Sequence, residues 1–300
     1  MTLHFATCDV FTADRYSGNP LAVVYGADDL SDAAMQRIAG EFSLSETIFV
    51  QTPDDAAHTA KVRIFTPLSE MPFAGHPTIG CAILLAEDAA GSGDFETIVT
   101  LEEVAGLVPV TVRRTGARIE ATLTAPITPY ALPAPITADD AAEALGLDAA
   151  AIGFGAHGLG LAEGGPRFAY VPVHDLAALG RAAPSGTFAA IVARCGTDNL
   201  YVYTPGENGA DYRTRMFAPV DGILEDPATG SATALLAAHL DACGVLTDGT
   251  TDLLLHQGFE MGRPSHLSLG IDRAEGALTA VRVGGSAVRV MAGTLTPPAP

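Results

Sequence analysis

Arg63-Ile64-Phe65-Thr66-Pro67, followed by Glu70-Met71-Pro72-Phe73-Ala74-Gly75-His76-Pro77-Thr78, is answered later in the chain. There the residues are Arg215-Met216-Phe217-Ala218-Pro219, followed by Glu225-Asp226-Pro227-Ala228-Thr229-Gly230-Ser231-Ala232-Thr233. Both stretches read arginine, apolar, Phe, any residue, Pro, a short gap, then Glu-x-Pro-x-x-Gly-x-x-Thr. Thr52-Pro53 and Thr204-Pro205 carry the match upstream, and one three-residue gap near Val220 to Ile223 absorbs the whole offset. Two copies half a chain apart are not a solenoid. They imply two similar half-structures, and a ligand site is most often built where such halves meet.

The segment directly after each copy decides the fold. Pro77-Thr78-Ile79-Gly80-Cys81-Ala82-Ile83-Leu84-Leu85-Ala86 and Ala232-Thr233-Ala234-Leu235-Leu236-Ala237-Ala238 are apolar all round. A helix with no polar face must be wrapped by other structure. The surroundings are strand-rich, with short β-branched or alternating runs at 4–11, 21–25, 47–51, 60–65, 97–102, 108–113 and 118–124. The pattern predicts an α+β fold of two pseudo-symmetric halves, each a mainly antiparallel, curled sheet around one central apolar helix. A surface helix is expected at 31–41, capped by Ser31, with Ala34, Met35, Ile38 and Ala39 on one stripe. The Pro-rich stretch 125–135 reads as an extended linker. Thr137 then caps a short helix to Leu145, ended by Gly146. Further strands are expected at 168–173, 189–193, 200–203, 213–217, 253–255, 266–271 and 276–283, and a disordered tail from Pro297. The domains predicted are 1–127 and 128–300, with room for the final strands to pack across to the first half.

Composition narrows the function. The 300 residues are 48% hydrophobic and 17% charged, so the chain forms cores. A formal net charge of -19 repels nucleic acid and anionic membrane, and both are discounted as partners. Cys8, Cys81, Cys195 and Cys243 show no C-x-x-C spacing and read as reduced cytoplasmic thiols. The N-terminus has no signal-peptide pattern, and no apolar run reaches the length of a membrane span. Phosphate loops, dinucleotide fingerprints and metal spacings among the eight histidines are missing, so no cofactor or metal is expected.

The chemistry is expected at the two helix starts. Gly75 and Gly230 let backbone approach a ligand closely, and the first turn of a helix attracts carboxylates. Two such ends facing one cleft would hold a small acid without a lysine. His76 and Ser231 are repeat-equivalent and come directly after those glycines. Asp226 lies four residues before Gly230, where it serves either as a turn cap or as a functional carboxylate. Glu46 opens an apolar strand; a carboxylate against a dry wall has its pKa raised toward a range useful for taking and returning a proton.

The blocks Asp9-Val10-Phe11-Thr12, Gly18-Asn19-Pro20-Leu21-Ala22-Val23-Val24, Ser45-Glu46-Thr47, Phe73-Ala74-Gly75-His76-Pro77-Thr78, Glu225-Asp226-Pro227-Ala228-Thr229-Gly230-Ser231-Ala232 and Gln257-Gly258 with Met261-Gly262-Arg263-Pro264-Ser265 together resemble the PhzF-type phenazine-biosynthesis isomerases. The resemblance implies a diaminopimelate-epimerase-like fold, a homodimer, and cofactor-independent proton transfer between carbons of a small carboxylate-bearing substrate. In the founding member that substrate is trans-2,3-dihydro-3-hydroxyanthranilate. The catalytic residues it implies here are Glu46, His76 and Asp226; the substrate contacts are Asn19, Gly75, Gly230 and Ser231.

Two rival readings stand beside it. A two-thiol racemase or epimerase of the same fold would place a cysteine at each helix start, where this chain has Ala74-Gly75-His76 and Thr229-Gly230-Ser231. A non-catalytic module that binds a small acid would need the cleft and no acid/base residue.

Overall fold

The computed structural model describes residues 2–298. The chain divides into two compact units, Met1–Thr124 with Gly284–Pro300, and Ala125–Val283. The boundary at 124/125 and the return of the last residues to the first unit stand beside the 127/128 division read from sequence.

In the first unit β1 (Leu3–Val10) lies antiparallel to β2 (Asn19–Tyr25), and β2 runs parallel to β3 (Glu46–Gln51) across α1 (Asp32–Phe42). Next, β3 pairs antiparallel with β4 (Ala60–Phe65), which pairs antiparallel with the short β5 (Glu70–Met71) and parallel with β6 (Phe95–Glu103). Two antiparallel pairings come after, to β7 (Gly106–Thr115) and β8 (Arg118–Thr124). The other side of β1 is covered by the end of the last strand, β17 (Ala277–Leu295), antiparallel from Val10 with Ala287 to Leu3 with Leu295, with a shift of register between Thr7 and Cys8. Ser31 caps α1 by accepting from Ala34 N–H, and Met35, Ile38 and Ala39 are its buried stripe.

The central helix of this unit is α2 (Gly75–Ala90). Every residue from Gly75 to Leu84 is buried, and the helix touches β1, β2, β3, β6, β7 and β8. A sheet whose first and last strands both touch one helix is curled around it. Gly80 sets how close they come. A Cβ there would lie 2.7 Å from side-chain carbons of Leu21 and Val10 and 3.2 Å from the Cys8 sulfur.

The second unit repeats this plan. β9 (Tyr130–Pro133) precedes α3 (Ala138–Leu145), and β10 (Gly160–Glu163) pairs antiparallel with both β9 and β11 (Arg167–Pro172). After α4 (Leu176–Arg181) and α5 (Phe188–Val192), β12 (Leu200–Pro205) pairs parallel with β11 and antiparallel with β13 (Tyr212–Ala218). β13 pairs antiparallel with β14 (Ile223–Asp226) and parallel with β15 (Gly249–Gln257), and β15 pairs antiparallel with β16 (Ser265–Ala274). The succession antiparallel, parallel, antiparallel, parallel, antiparallel is therefore the same from β1 to β7 and from β10 to β16. Its central helix, α6 (Gly230–Ala242), is buried from Ala232 to Leu240 and touches β9, β10, β11 and β16. The fold is α+β, as the apolar helices imply.

The repeated arginine and glutamate form the same device in both units. Arg63 Nε and Nη2 donate to the two oxygens of Glu70 at 2.7 and 2.6 Å. Arg215 Nε and Nη2 donate to those of Glu225, both at 2.7 Å. Each guanidinium also lies over the Phe two residues on, 5.3 Å from the Phe65 ring and 4.8 Å from that of Phe217. The planar guanidinium fits a carboxylate in this bidentate way and an ammonium does not. The pair fastens β5 to β4 and β14 to β13, immediately before each central helix.

Three sequence expectations give way. The Pro-rich stretch is not all linker, because Tyr130–Pro133 pairs with β10. Residues 188–192 are helical as α5, although Ile191 and Val192 favour strands; both are buried in the second unit's core, and packing overrides the propensity. The last strand continues past the Gly284-Gly285 pair to Leu295, because β1 supplies a partner for it. Of the tail expected to be disordered, the final two residues lie outside the described ones. Among the described residues no helix is long and apolar enough to cross a membrane, and all four cysteines are free thiols.

Candidate active site

In the first unit the expected residues come from three elements. Asn19 begins β2 and is fully buried. Glu46 begins β3, paired in register with Leu21. Gly75 and His76 are the first two residues of α2. The structure brings two of them together: His76 Nδ1 lies 3.3 Å from Glu46 Oε2, with side-chain exposures of 5% and 12%.

That contact is not an ion pair. Burial drives the His76 pKa down to about 3, partly opposed by a hydrogen bond to the Pro20 carbonyl, so the imidazole is neutral. Nε2 is buried with no hydrogen-bond partner among the described residues. The bond to Pro20 therefore runs from Nδ1–H, which fixes the tautomer and leaves the lone pair on Nε2. Glu46 thus faces a neutral N–H rather than an imidazolium.

In the second unit Asp226 ends β14, and Gly230 and Ser231 open α6. Asp226 is 7% exposed. Thr229 Oγ1 donates to Asp226 Oδ2 at 2.5 Å. Gln257, at the end of β15, donates from Nε2 to the Asp226 carbonyl at 2.8 Å and to Thr229 Oγ1 at 3.0 Å, and accepts from Thr229 N–H at 3.2 Å. The Asp226 carboxylate is thereby oriented by a threonine that is itself oriented by a glutamine. Gly258 makes room for this: at φ +75° it lies so close to Pro227 that a Cβ would sit 2.6 Å from the Pro227 carbonyl oxygen.

Both central helices begin without the usual side-chain cap. Ala74 has no group to offer, and the hydroxyl of Thr229 is spent on Asp226. The thiols behave differently from catalytic ones. Cys8 and Cys81 are buried, and burial pushes both far above the ordinary thiol range, away from the reactive thiolate.

A model of the phenazine biosynthesis-like protein family, PhzC-PhzF, matches residues 8–293. The chain belongs to this family. An uncharacterised isomerase of Mesorhizobium japonicum is 42% identical over 98% of this chain and 99% of its own length. The trans-2,3-dihydro-3-hydroxyanthranilate isomerase of Pseudomonas aeruginosa is 36% identical over 94% of this chain and 95% of its own length. The crystal structure of a Bacillus anthracis phenazine biosynthesis protein of the PhzF family covers 99% of both chains with a TM-score of 0.88 at 23% identity, which shows the common fold. PhzF-type relatives are isomerases, and this chain is an enzyme of that class.

Asn19, Glu46, Gly75, His76, Asp226, Gly230 and Ser231 are the site residues that the sequence implies; the residues that hold them carry no signal of that role there. Pro20 and Gln257 lie inside the matching sequence blocks. Thr229 stands between Asp226 and Gly230 in sequence. None of these roles has a local pattern, because each depends on a contact made in three dimensions.

Proposed function

We propose that this chain is a cofactor-independent isomerase that moves a proton between carbons of a small carboxylic acid of the trans-2,3-dihydro-3-hydroxyanthranilate type, with Glu46 as both acid and base. The reading rests most on the half-buried Glu46 carboxylate facing a neutral His76 imidazole at the start of α2. Glu46 takes a proton from an activated carbon and returns it elsewhere on the same conjugated skeleton. Nε2 of His76 accepts a hydrogen bond from a substrate amino or hydroxyl group. Asp226, held by Thr229, orients the same substrate with Asn19 and Ser231, and the backbone N–H groups at Gly75 and Gly230 bind its carboxylate. The 36% identity to a trans-2,3-dihydro-3-hydroxyanthranilate isomerase supports this class of reaction. The working form is proposed to be a cytoplasmic homodimer.

General acid–base catalysis of this kind contributes about 10²–10⁴-fold. Glu46→Gln keeps the shape and removes the base. With trans-2,3-dihydro-3-hydroxyanthranilate as substrate, the variant is expected to keep a native far-ultraviolet spectrum and lose kcat by about that factor. An unchanged kcat would remove Glu46 from the mechanism.

A further inference from the structure

Glu103 is a buried carboxyl that the proposed reaction does not use. It ends β6, is 8% exposed, and meets Thr78 of α2. Thr78 Oγ1 lies 2.6 Å from Glu103 Oε1 and 2.7 Å from the Ala74 carbonyl oxygen. The hydroxyl has one proton and cannot donate to both. The two short contacts are compatible when Glu103 itself carries a proton, donating from Oε1 to Thr78 while Thr78 donates to Ala74. The other oxygen, Oε2, is buried without a hydrogen-bond partner among the described residues. A neutral acid tolerates that position far better than a carboxylate.

The surroundings agree. Glu102, its neighbour, is spent on the Asp54 and Asp55 N–H groups and on His58 Nδ1. Lys61, opposite Glu102 in the β4–β6 pairing, gives its ammonium to Asp54. On α2 the Cys81 thiol, itself pushed far up by burial, is a titratable group that feels the charge of Glu103. β7 brings only Gly106 opposite Glu103, with Arg113 and Arg114 at its far end beside Glu96 and Phe95. Burial raises the Glu103 pKa to about 7, with the Thr78 contact opposing.

The same turn holds the start of α2 from its other side, since Ala105 N–H donates to the Pro72 carbonyl at 2.9 Å. The strap from Glu103 to Ala105 therefore grips residues 72–78, the stretch that contains Gly75 and His76. We propose that Glu103 is a positioning residue for the start of α2: as a neutral acid it leaves the Thr78 hydroxyl free to close the first turn on Ala74, and as a carboxylate it takes that hydroxyl away and loosens the turn. Its effect on catalysis rests on the function proposed above; its protonation state does not.

The test is infrared spectroscopy and amide NMR on the whole chain between pH 5 and 9, with no substrate present. The protein is expected to show the carbonyl band of a protonated buried carboxylic acid, lost with a midpoint near 7. The Gly75 and His76 amide resonances should move with the same midpoint. Glu103→Gln, whose amide still donates to Thr78, should lose the band and hold those amides at their low-pH positions. Thr78→Val should keep the band with a higher midpoint and break the correlation with the amides. The proposal is overturned if Glu103→Gln leaves the band in place, or if the amides titrate unchanged in either variant. Should Glu103→Gln fail to fold, Thr78→Val alone decides it. Activity against any substrate enters neither measurement, so a failure of the proposed reaction would leave a separate trace.

Discussion

His76 and Glu103 show what burial does to two ionisable side chains of one unit. His76 is held neutral, with its pKa moved from 6.5 to about 3. The folded state therefore stays uncharged where the unfolded chain takes up a proton, so its contribution is full above about pH 6.5 and is lost as the pH falls toward 3. Glu103 acts in the opposite sense. Its pKa rises from 4.5 to about 7, so the folded state keeps a proton that the unfolded chain has released. Its contribution is full below about pH 4.5 and is lost as the pH rises through 7, a difference on the order of 3 kcal/mol. In urea titrations at pH 5 and pH 8, Glu103→Gln should remove most of this alkaline loss relative to the parent. If both proteins lose the same stability between these two pH values, the buried acid is wrongly assigned. Sequence alone made Glu46 and His76 candidates but could not join them, since thirty residues separate them. Glu103 was invisible in sequence. It reads as one of two adjacent acids at a strand end, and only the Thr78 contact tells it from Glu102.

The elements were more legible than the contacts. Two all-apolar runs announced α2 and α6, because a helix without a polar face can only be a core. Ser31 and the Thr137–Asp140 capping box marked helix starts by hydrogen bonds that are local in sequence. What failed were short elements decided by distant partners: α5 among β-branched residues, β9 inside a Pro-rich stretch, and the second half of β17. The duplicated Arg–Glu fastening also differs between the units in a way that pattern hides. The side chains of Arg215 and Glu225 are 9% and 13% exposed, and Arg215 Nη1 also donates to the Leu179 and Ala182 carbonyls at 2.9 and 2.6 Å. Arg63 and Glu70 are 19% and 31% exposed. Removing one partner of a buried pair strands the other charge. Arg215→Ala should thus cost about 3–5 kcal/mol, and Arg63→Ala about 1 kcal/mol. Guanidinium denaturation of the two variants checks this. Equal losses would show that burial does not govern the pair.

At the scale of the whole molecule, the chain returns to its beginning. Residues 287–295 cover the outer side of β1 along its full length, and the Ser286 carbonyl accepts from Phe11 N–H at 2.7 Å. A chain ending at Val283 would leave β1 as an exposed, largely apolar edge, which favours aggregation. It should lose the cooperative unfolding of the first unit, read by amide exchange at Ala6 to Val10. Native protection there would show the final segment to be dispensable. The duplication also loads the two units unequally. At the same spacing that relates Thr52 to Thr204, Glu46 corresponds to Asp198; past the three-residue gap, His76 corresponds to Ser231. Two copies of one plan thus carry different side chains, and the proposed proton transfer belongs to the copy with Glu46. The most direct measurement of that claim is proton NMR of trans-2,3-dihydro-3-hydroxyanthranilate incubated in D₂O with the parent chain and with Glu46→Gln. The parent should incorporate solvent deuterium at a substrate carbon as product forms, and the variant should not. Incorporation by Glu46→Gln at the parent rate would contradict the assignment of Glu46 as the proton carrier.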